Sequence, residues 1–240
     1  MPGILYIISA PSGSGKSTLV NELRSLVPQL EFSVSYTTRA PRGSEQNGRE
    51  YYFVSRREFE EMIRRDEFLE YAEVFGNYYG TARRFLREAT ARGNDLLLDI
   101  DVQGAAQVKE RAKDSVSIFV LPPSRQALEK RLRNRSQSEA ASTQGGGMSD
   151  EVIKRRLMEA AKEIEKYSNY DYILVNESLQ EAVDQLRAIV LCERKLRSGK
   201  DLDETDRKLA DTAQQCLQAS QAESGRLREI LESFAPAQSG

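Results

Sequence analysis

The stretch Ala10-Pro11-Ser12-Gly13-Ser14-Gly15-Lys16-Ser17-Thr18 constrains this chain more than any other. Before it, Ile4–Ser9 is short, apolar and β-branched, as a buried strand would be. After it, Leu19, Leu23 and Leu26 recur at helical spacing up to Pro28. Strand, glycine-rich loop and helix in that order form a P-loop, with Ala10 where the usual pattern opens on glycine. A linker that merely contained Gly, Ser and Lys would lack both flanks. Gly13 and Gly15 let successive N–H groups turn inward around an anion, and the helix start adds its positive end. Lys16 then reaches β- and γ-phosphates, and the Ser17 hydroxyl suits Mg²⁺.

The composition removes the alternatives that would compete with phosphate chemistry. The chain has no histidine, so Ser–His–Asp hydrolysis, Cys–His nucleophiles and imidazole metal sites are all excluded. Thirty-five Lys and Arg against 37 Asp and Glu leave a net charge of -2, which argues against a nucleic-acid partner. Cys192 and Cys216 are too few to build a structural zinc site and read as reduced thiols. The apolar run Ile4–Ile8 has no basic residue before it and is no signal peptide, and no membrane span is visible. The expectation is a soluble cytoplasmic protein with no nucleic-acid or membrane partner.

Apolar runs alternate with helical patterns, which predicts an α/β fold with a largely parallel core sheet. Phe32–Thr37, Tyr51–Val54, Leu96–Ile100, Ser117–Leu121 and Tyr172–Val175 read as strands, with Phe68–Phe75 and Tyr78–Gly80 extended. Arg57–Arg65, Ala82–Arg92, Gln103–Lys113, Ser124–Arg133, Asp150–Tyr167 and Leu179–Leu196 read as helices, with Gly93 and Ser149 as caps. Ser136–Gly147, almost without apolar residues, reads as a mobile loop. Asp99 and Asp101, at the end of Leu96–Ile100, stand where a magnesium-side carboxylate belongs. Beyond Arg197 the chain is polar, with Leu202, Leu209, Cys216, Leu227, Ile230 and Phe234 too sparse for a coiled coil.

Several further motifs occur in order. They are Ser33–Glu45, Gly48-Arg49-Glu50-Tyr51-Tyr52-Phe53, Phe68-Leu69-Glu70-Tyr71-Ala72, Gly76–Thr81 and Leu97–Gly104. Together with the P-loop they resemble the guanylate kinase family over roughly residues 3–196. The resemblance implies a P-loop three-layer α/β fold with a GMP-binding insertion near 36–90 and a mobile lid near 125–156. It implies Mg²⁺-dependent transfer of a phosphoryl group from ATP to GMP or dGMP. ATP and GMP would be the partners, and the protein a monomer or small homo-oligomer.

By resemblance, Arg39, Arg42, Tyr51 and Tyr79 hold the acceptor phosphate. Glu70 reads the guanine edge, and Ser35, Gly80, Thr81, Asp99 and Asp101 complete that pocket. Residues 10–18 hold the ATP phosphates, Asn176 lies near the adenine, and Ser17, with Asp99 through a water, serves Mg²⁺. Arg131-Leu132-Arg133-Asn134-Arg135 and Lys154-Arg155-Arg156-Leu157 resemble the lid. That match assigns Arg131, Arg135 and Arg156, with Lys16, Arg39 and Arg42, to catalysis, and leaves Arg133 and Arg155 as solvated charges. Residues 138–147 resemble no part of the family pattern and read as a flexible insertion. The extension 197–240 contains no motif residue and reads as partly helical or disordered, and as dispensable. The remaining alternative is a non-catalytic guanylate-kinase-like interaction module, which typically loses the P-loop lysine and the lid arginines. Lys16 and Arg131 are present here.

Overall fold

The computed structural model describes residues 3–74, 76–142, 148–201 and 203–235. In chain order the elements are β1 (Leu5–Ser9), α1 (Lys16–Leu26), β2 (Leu30–Phe32), β3 (Tyr36–Thr37), β4 (Tyr52–Phe53), α2 (Arg56–Arg64), β5 (Phe68–Val74) and β6 (Asn77–Ala82). They continue with α3 (Arg83–Arg92), β7 (Asp95–Asp99), α4 (Val102–Arg111), β8 (Val116–Leu121), α5 (Arg125–Ser142) and α6 (Asp150–Ile164). The last are β9 (Tyr172–Val175), α7 (Leu179–Ser198), α8 (Glu204–Cys216), α9 (Gln218–Ala222) and α10 (Gly225–Phe234). The described residues fall into two compact units: Met1–Ile8 with Pro28–Val116, and Ser9–Val27 with Ser117–Gly240.

In the first unit β2, β7 and β1 run parallel, with Leu30 beside Asp95 and Tyr6 beside Leu97. β1 is buried along its whole length, as parallel strands covered on both faces are. The strand expected at Leu96–Ile100 starts one residue earlier. The buried Asp95 carboxylate accepts the Ile4 N–H at 2.7 Å and so ties β7 to β1. A second sheet of this unit has the order β4-β3-β6-β5. The single strand expected over Phe32–Thr37 is in fact two. Leu30–Phe32 pairs with β7, whereas Tyr36 pairs with Tyr52 and Gly80 in the second sheet. The chain changes partners across Ser33–Ser35, which period-two patterning alone cannot reveal.

In the second unit β8 and β9 pair in parallel, with Ile118 beside Tyr172, and α1 packs on α7. Helix α6 begins where Ser149 caps it, its hydroxyl accepting the Val152 N–H. One expectation is overturned here. The loop expected from Ser136 is helical through Ser142, because Ser136–Ser142 lacks Gly and Pro and contains Ala, Gln and Glu. Ser136 is buried, and its hydroxyl accepts the Met148 N–H at 2.5 Å, which brings the chain back beside α5. Residues 143–147 of the expected insertion lie outside the described residues. The extension, expected partly helical or disordered, is helical over α8, α9 and α10. It buries Ala213, Cys216, Leu227, Ile230 and Phe234, an apolar set spread over two short helices, α8 and α10, rather than one long one.

Candidate active site

The second unit carries a phosphate cradle. Gly13 and Gly15 take φ values of +94° and +90°, which side chains rarely adopt. Added Cβ atoms would also collide: one at 13 would lie 2.9 Å from Leu132 Cδ2, and one at 15 would lie 2.4 Å from Asn176 Nδ2. Gly15 caps α1 without any side-chain hydrogen bond, and no acidic residue occupies the first turn. The N–H groups at Lys16, Ser17 and Thr18 therefore begin a helix that no side chain caps. By contrast Ser55, Asp101 and Ser149 each cap their own helices. The Ser14 hydroxyl is fully buried with no hydrogen-bond partner. An open helix end, strained glycines and an orphaned buried hydroxyl together suit an anion.

Two of the expected ATP-side groups, Arg131 and Asn176, meet at this loop. Arg131 on α5 donates to the Ser14 carbonyl at 3.2 Å and to the Asn176 carbonyl at 2.8 Å. Asn176, at the end of β9, donates from Nδ2 to the Ser14 carbonyl at 2.7 Å. Burial holds the Arg131 guanidinium below its usual pKa. Arg135 is one turn beyond Arg131 on the same face of α5. Arg156 lies on α6, which packs against α5. Arg133 binds Glu129 at 2.8 Å and Asp150 at 2.6 Å, so it joins the two helices.

The first unit gathers the expected GMP-side residues. Arg39 is almost covered, its side chain 10% exposed. Its Nη2 donates to both oxygens of Glu45, at 3.0 and 2.9 Å. Burial opposes its charge, but Glu45, aided by Tyr79, outweighs that and raises its pKa. The guanidinium also lies 5.4 Å from the centre of the Tyr51 ring. Tyr51 and Tyr79 meet edge to face at 5.8 Å. Burial, with the charge of Asp99 behind it, pushes the Tyr51 hydroxyl up to about 12, so it remains a donor at neutral pH. The Arg42 side chain is exposed, while its N–H donates to Glu45 at 2.7 Å.

Glu70 is a carboxylate only 3% exposed, and no ion pair engages it among the described residues. A bulge in β5 aims it. The pairing shifts between Phe68 and Glu70, so Phe68, Leu69 and Glu70 are all buried and Glu70 faces Thr81 on β6. Gly80 beside it is buried, and Ser35 and Thr81 are buried hydroxyl residues of the same sheet region. Burial, reinforced by Asp101, raises Glu70 to about 7, while Thr81 and Arg111 work the other way.

Helix α4 supplies the backing that sequence reasoning missed. Gly104, Gln107 and Arg111, spaced along one helical face, all dock on β5. A Cβ on Gly104 would lie 2.4 Å from Glu70 Oε2. Gln107 donates to the Tyr71 carbonyl at 2.7 Å, and Arg111 donates to the Leu69 carbonyl. Asp101 caps this helix, accepting from the Gln103 and Gly104 N–H groups at 2.9 and 2.8 Å. Glu45 was the other omission. It stood inside the Ser33–Glu45 motif, and its signal was an acid three residues after Arg42, the second of two arginines expected to bind phosphate.

A family model described as guanylate kinase matches residues 3–193. A guanylate kinase of Koribacter versatilis (strain Ellin345) is 58% identical over 234 residues, which is 98% of this chain and 97% of that protein. One of Geobacter sulfurreducens is 50% identical over 201 residues, covering 84% of this chain and 94% of its own length. Among solved structures, the crystal structure of guanylate kinase from Anaplasma phagocytophilum superposes with a TM-score of 0.64 at 34% identity. It covers 84% of this chain and 98% of that one. The mixed α/β architecture with parallel strands and a P-loop is thus shared with a structure of that kind. Cradle, buried carboxylate and relatives matched over nearly their whole length lead to one assignment: the chain belongs to the guanylate kinase family.

Proposed function

We propose that this chain transfers the γ-phosphoryl group of ATP to the phosphate of GMP or dGMP, giving ADP and GDP or dGDP. The observation that carries this reading is Glu70, a buried carboxylate without an ion pair among the described residues, seated opposite Thr81 and against Gly104. Guanine presents N1–H and its N2 amino group side by side, and one carboxylate accepts from both. Adenine presents a lone pair at N1, which would leave that carboxylate unsatisfied, and such polar mismatches discriminate by orders of magnitude.

The remaining residues divide by the phosphate they face. Lys16 and the N–H groups of residues 13–18 hold the ATP phosphates, and Asn176 lies on the adenine side. Arg39, Arg42, Tyr51 and Tyr79 hold the acceptor phosphate, with Ser35, Gly80, Asp99 and Asp101 completing that pocket. Arg131, Arg135 and Arg156 stabilise charge on the moving phosphoryl group. The acceptor oxygen is already ionised at neutral pH, so no general base is required and catalysis rests on positioning and charge.

Mg²⁺ neutralises phosphate charge when bound. The described residues contain no cluster of three or more acidic or cysteine side chains that could hold a metal. In this reading the Ser17 hydroxyl, with Asp99 through a water, would be the protein's own share, and the phosphates would supply the rest. Among the described residues no helix is long and apolar enough to cross a membrane. A cytoplasmic setting accords with two buried free cysteines.

The test is a coupled assay of ADP release offered GMP, AMP, CMP and UMP in turn. GMP should exceed AMP by at least about a hundredfold in kcat/KM. Equal activity with AMP would remove Glu70 as the base reader.

A further inference from the structure

The match to the family model ends at residue 193, before the three helices of the extension. The Koribacter relative, matched over 98% of this chain, is similar through nearly all of it. These helices are seated, not trailing. Leu227, Ile230 and Phe234 on α10 are 2%, 1% and 5% exposed, and α10 packs on α5 and α9.

From that seat the extension touches the roots of the ATP-side cradle at three places. Ser233 Oγ accepts the N–H of Arg125, the first residue of α5, at 3.1 Å. Free N–H groups at a helix start otherwise go to water or a local cap, and Ser124 already takes that of Ala127 at 3.1 Å. Arg226 donates to Glu177 Oε2 at 2.8 Å, and Glu177 directly follows Asn176. The Gln218 N–H donates to the Asp171 carbonyl at 2.9 Å, and Leu217 bridges Tyr172, so the extension also lies along β9, whose last residue, Val175, precedes Asn176.

Both elements pinned in this way act on the same carbonyl. Six residues beyond Arg125, Arg131 donates to the Ser14 carbonyl, and Asn176 donates to it from the other element. We infer that the extension is a positioning element of the ATP-side cradle. It fixes the start of α5 and the Asn176–Glu177 corner, so that Arg131 and Asn176 hold the P-loop at the spacing the triphosphate requires. This rests on the ATP:GMP reading for its kinetic readout but not for its binding readout. Ser233 and Arg226 are positioning residues: neither touches the cradle itself.

The experiment measures KM for ATP and for GMP, and the calorimetric Kd of Mg·ATP, on the full-length chain and four variants. Deleting 201–240 should raise both ATP constants at least tenfold and leave KM for GMP within twofold. Because that chain loses the buried side chains of Ala213, Cys216, Leu227, Ile230 and Phe234, point variants accompany it. Arg226→Glu with Ser233→Ala should raise the ATP constants about fivefold. Arg226→Glu alone should raise them by less, and adding Glu177→Arg to it should restore them by re-forming the pair with reversed charges. ATP and GMP constants rising together, or a charge swap that restores nothing, would overturn the inference. If the truncated chain is unfolded by circular dichroism, the point variants decide alone. A full-length protein that binds Mg·ATP but phosphorylates no GMP would overturn the activity assigned above, and the Mg·ATP affinities would still judge the extension.

Discussion

Gly104 and Glu70 are packed so closely that a single methyl group on the first would lie 2.4 Å from a carboxylate oxygen of the second. Helix α4 and strand β5 thus leave the Glu70 carboxylate, the proposed base reader, one position. Gly104→Ala should push Glu70 aside rather than unfold the chain, since the atom that must yield is the tip of a side chain. The expected result is a loss of about 1–2 kcal/mol in kcat/KM for GMP, with KM for ATP unchanged. Steady-state kinetics with each substrate varied in turn checks this. A parallel rise in both KM values would mean that α4 supports the fold as a whole.

Glu70→Gln should cost at least about 2–3 kcal/mol in kcat/KM for GMP. The amide oxygen cannot serve both guanine donors, and its NH₂ opposes one of them.

The same carboxyl group should make stability depend on pH. Folded, it holds its proton up to about 7; its ordinary value is 4.5. Between those values the folded state binds more protons than the unfolded one. Stability contributed by this group therefore falls as pH rises from 4.5 to 7 and is level above. Urea unfolding at pH 5 and pH 7.5 should show a drop in wild type that Glu70→Gln lacks. GMP affinity should move the opposite way and strengthen over the same interval as the carboxylate forms.

Lys16→Met should reduce GDP formation by far more than tenfold while the urea midpoint stays near wild type, because the lysine supplies charge rather than packing. Each tenfold is only about 1.4 kcal/mol of barrier, less than a neutral thioether should cost at this position.

Glu45→Gln removes the carboxylate that holds both Arg39 and the Arg42 N–H. Arg39 should lose its fixed orientation, and KM for GMP should rise about tenfold, in line with one charge-assisted hydrogen bond. Kinetics with varied GMP measures it. An unchanged KM would show that Tyr51 and Tyr79 orient Arg39 unaided.

Arg135→Ala and Arg156→Ala should each lower kcat by about 10³, the scale of a lost transition-state donor. Arg133→Ala should stay within about threefold, since its partners are the exposed carboxylates of Glu129 and Asp150. Single-turnover rates on the three variants separate these roles.

What could be read from the sequence was whatever depends on local order along the chain. The P-loop was visible because strand, glycines and helix are consecutive, and Ser149 and Gly93 because caps act within one turn. The partner change between Phe32 and Tyr36 was hidden, since a strand shows its own alternation and not its neighbour. The row Gly104, Gln107, Arg111 was hidden for a similar reason. It matters only because β5 lies against it, and the bulge at Leu69 that turns Glu70 inward leaves no pattern in composition. In the extension, sparse apolar residues suggested a frayed helix or disorder. Cys216, Leu227, Ile230 and Phe234 are buried because the partner surface comes from α5, α7 and α9, while Leu209 is half-buried.

If the loop before α1 holds the ATP phosphates as proposed, its uncapped helix start and the buried, partnerless Ser14 hydroxyl would make the donor nucleotide a participant in the folding equilibrium. A ligand that binds only the folded chain at a hundred times its Kd adds about 2.7 kcal/mol to stability. Against the roughly 5–15 kcal/mol of a typical domain, that is a sizeable fraction of the whole. Abundance of this protein in a cell would then track the supply of its own phosphoryl donor. Chains starved of nucleotide would open more often and meet proteases sooner.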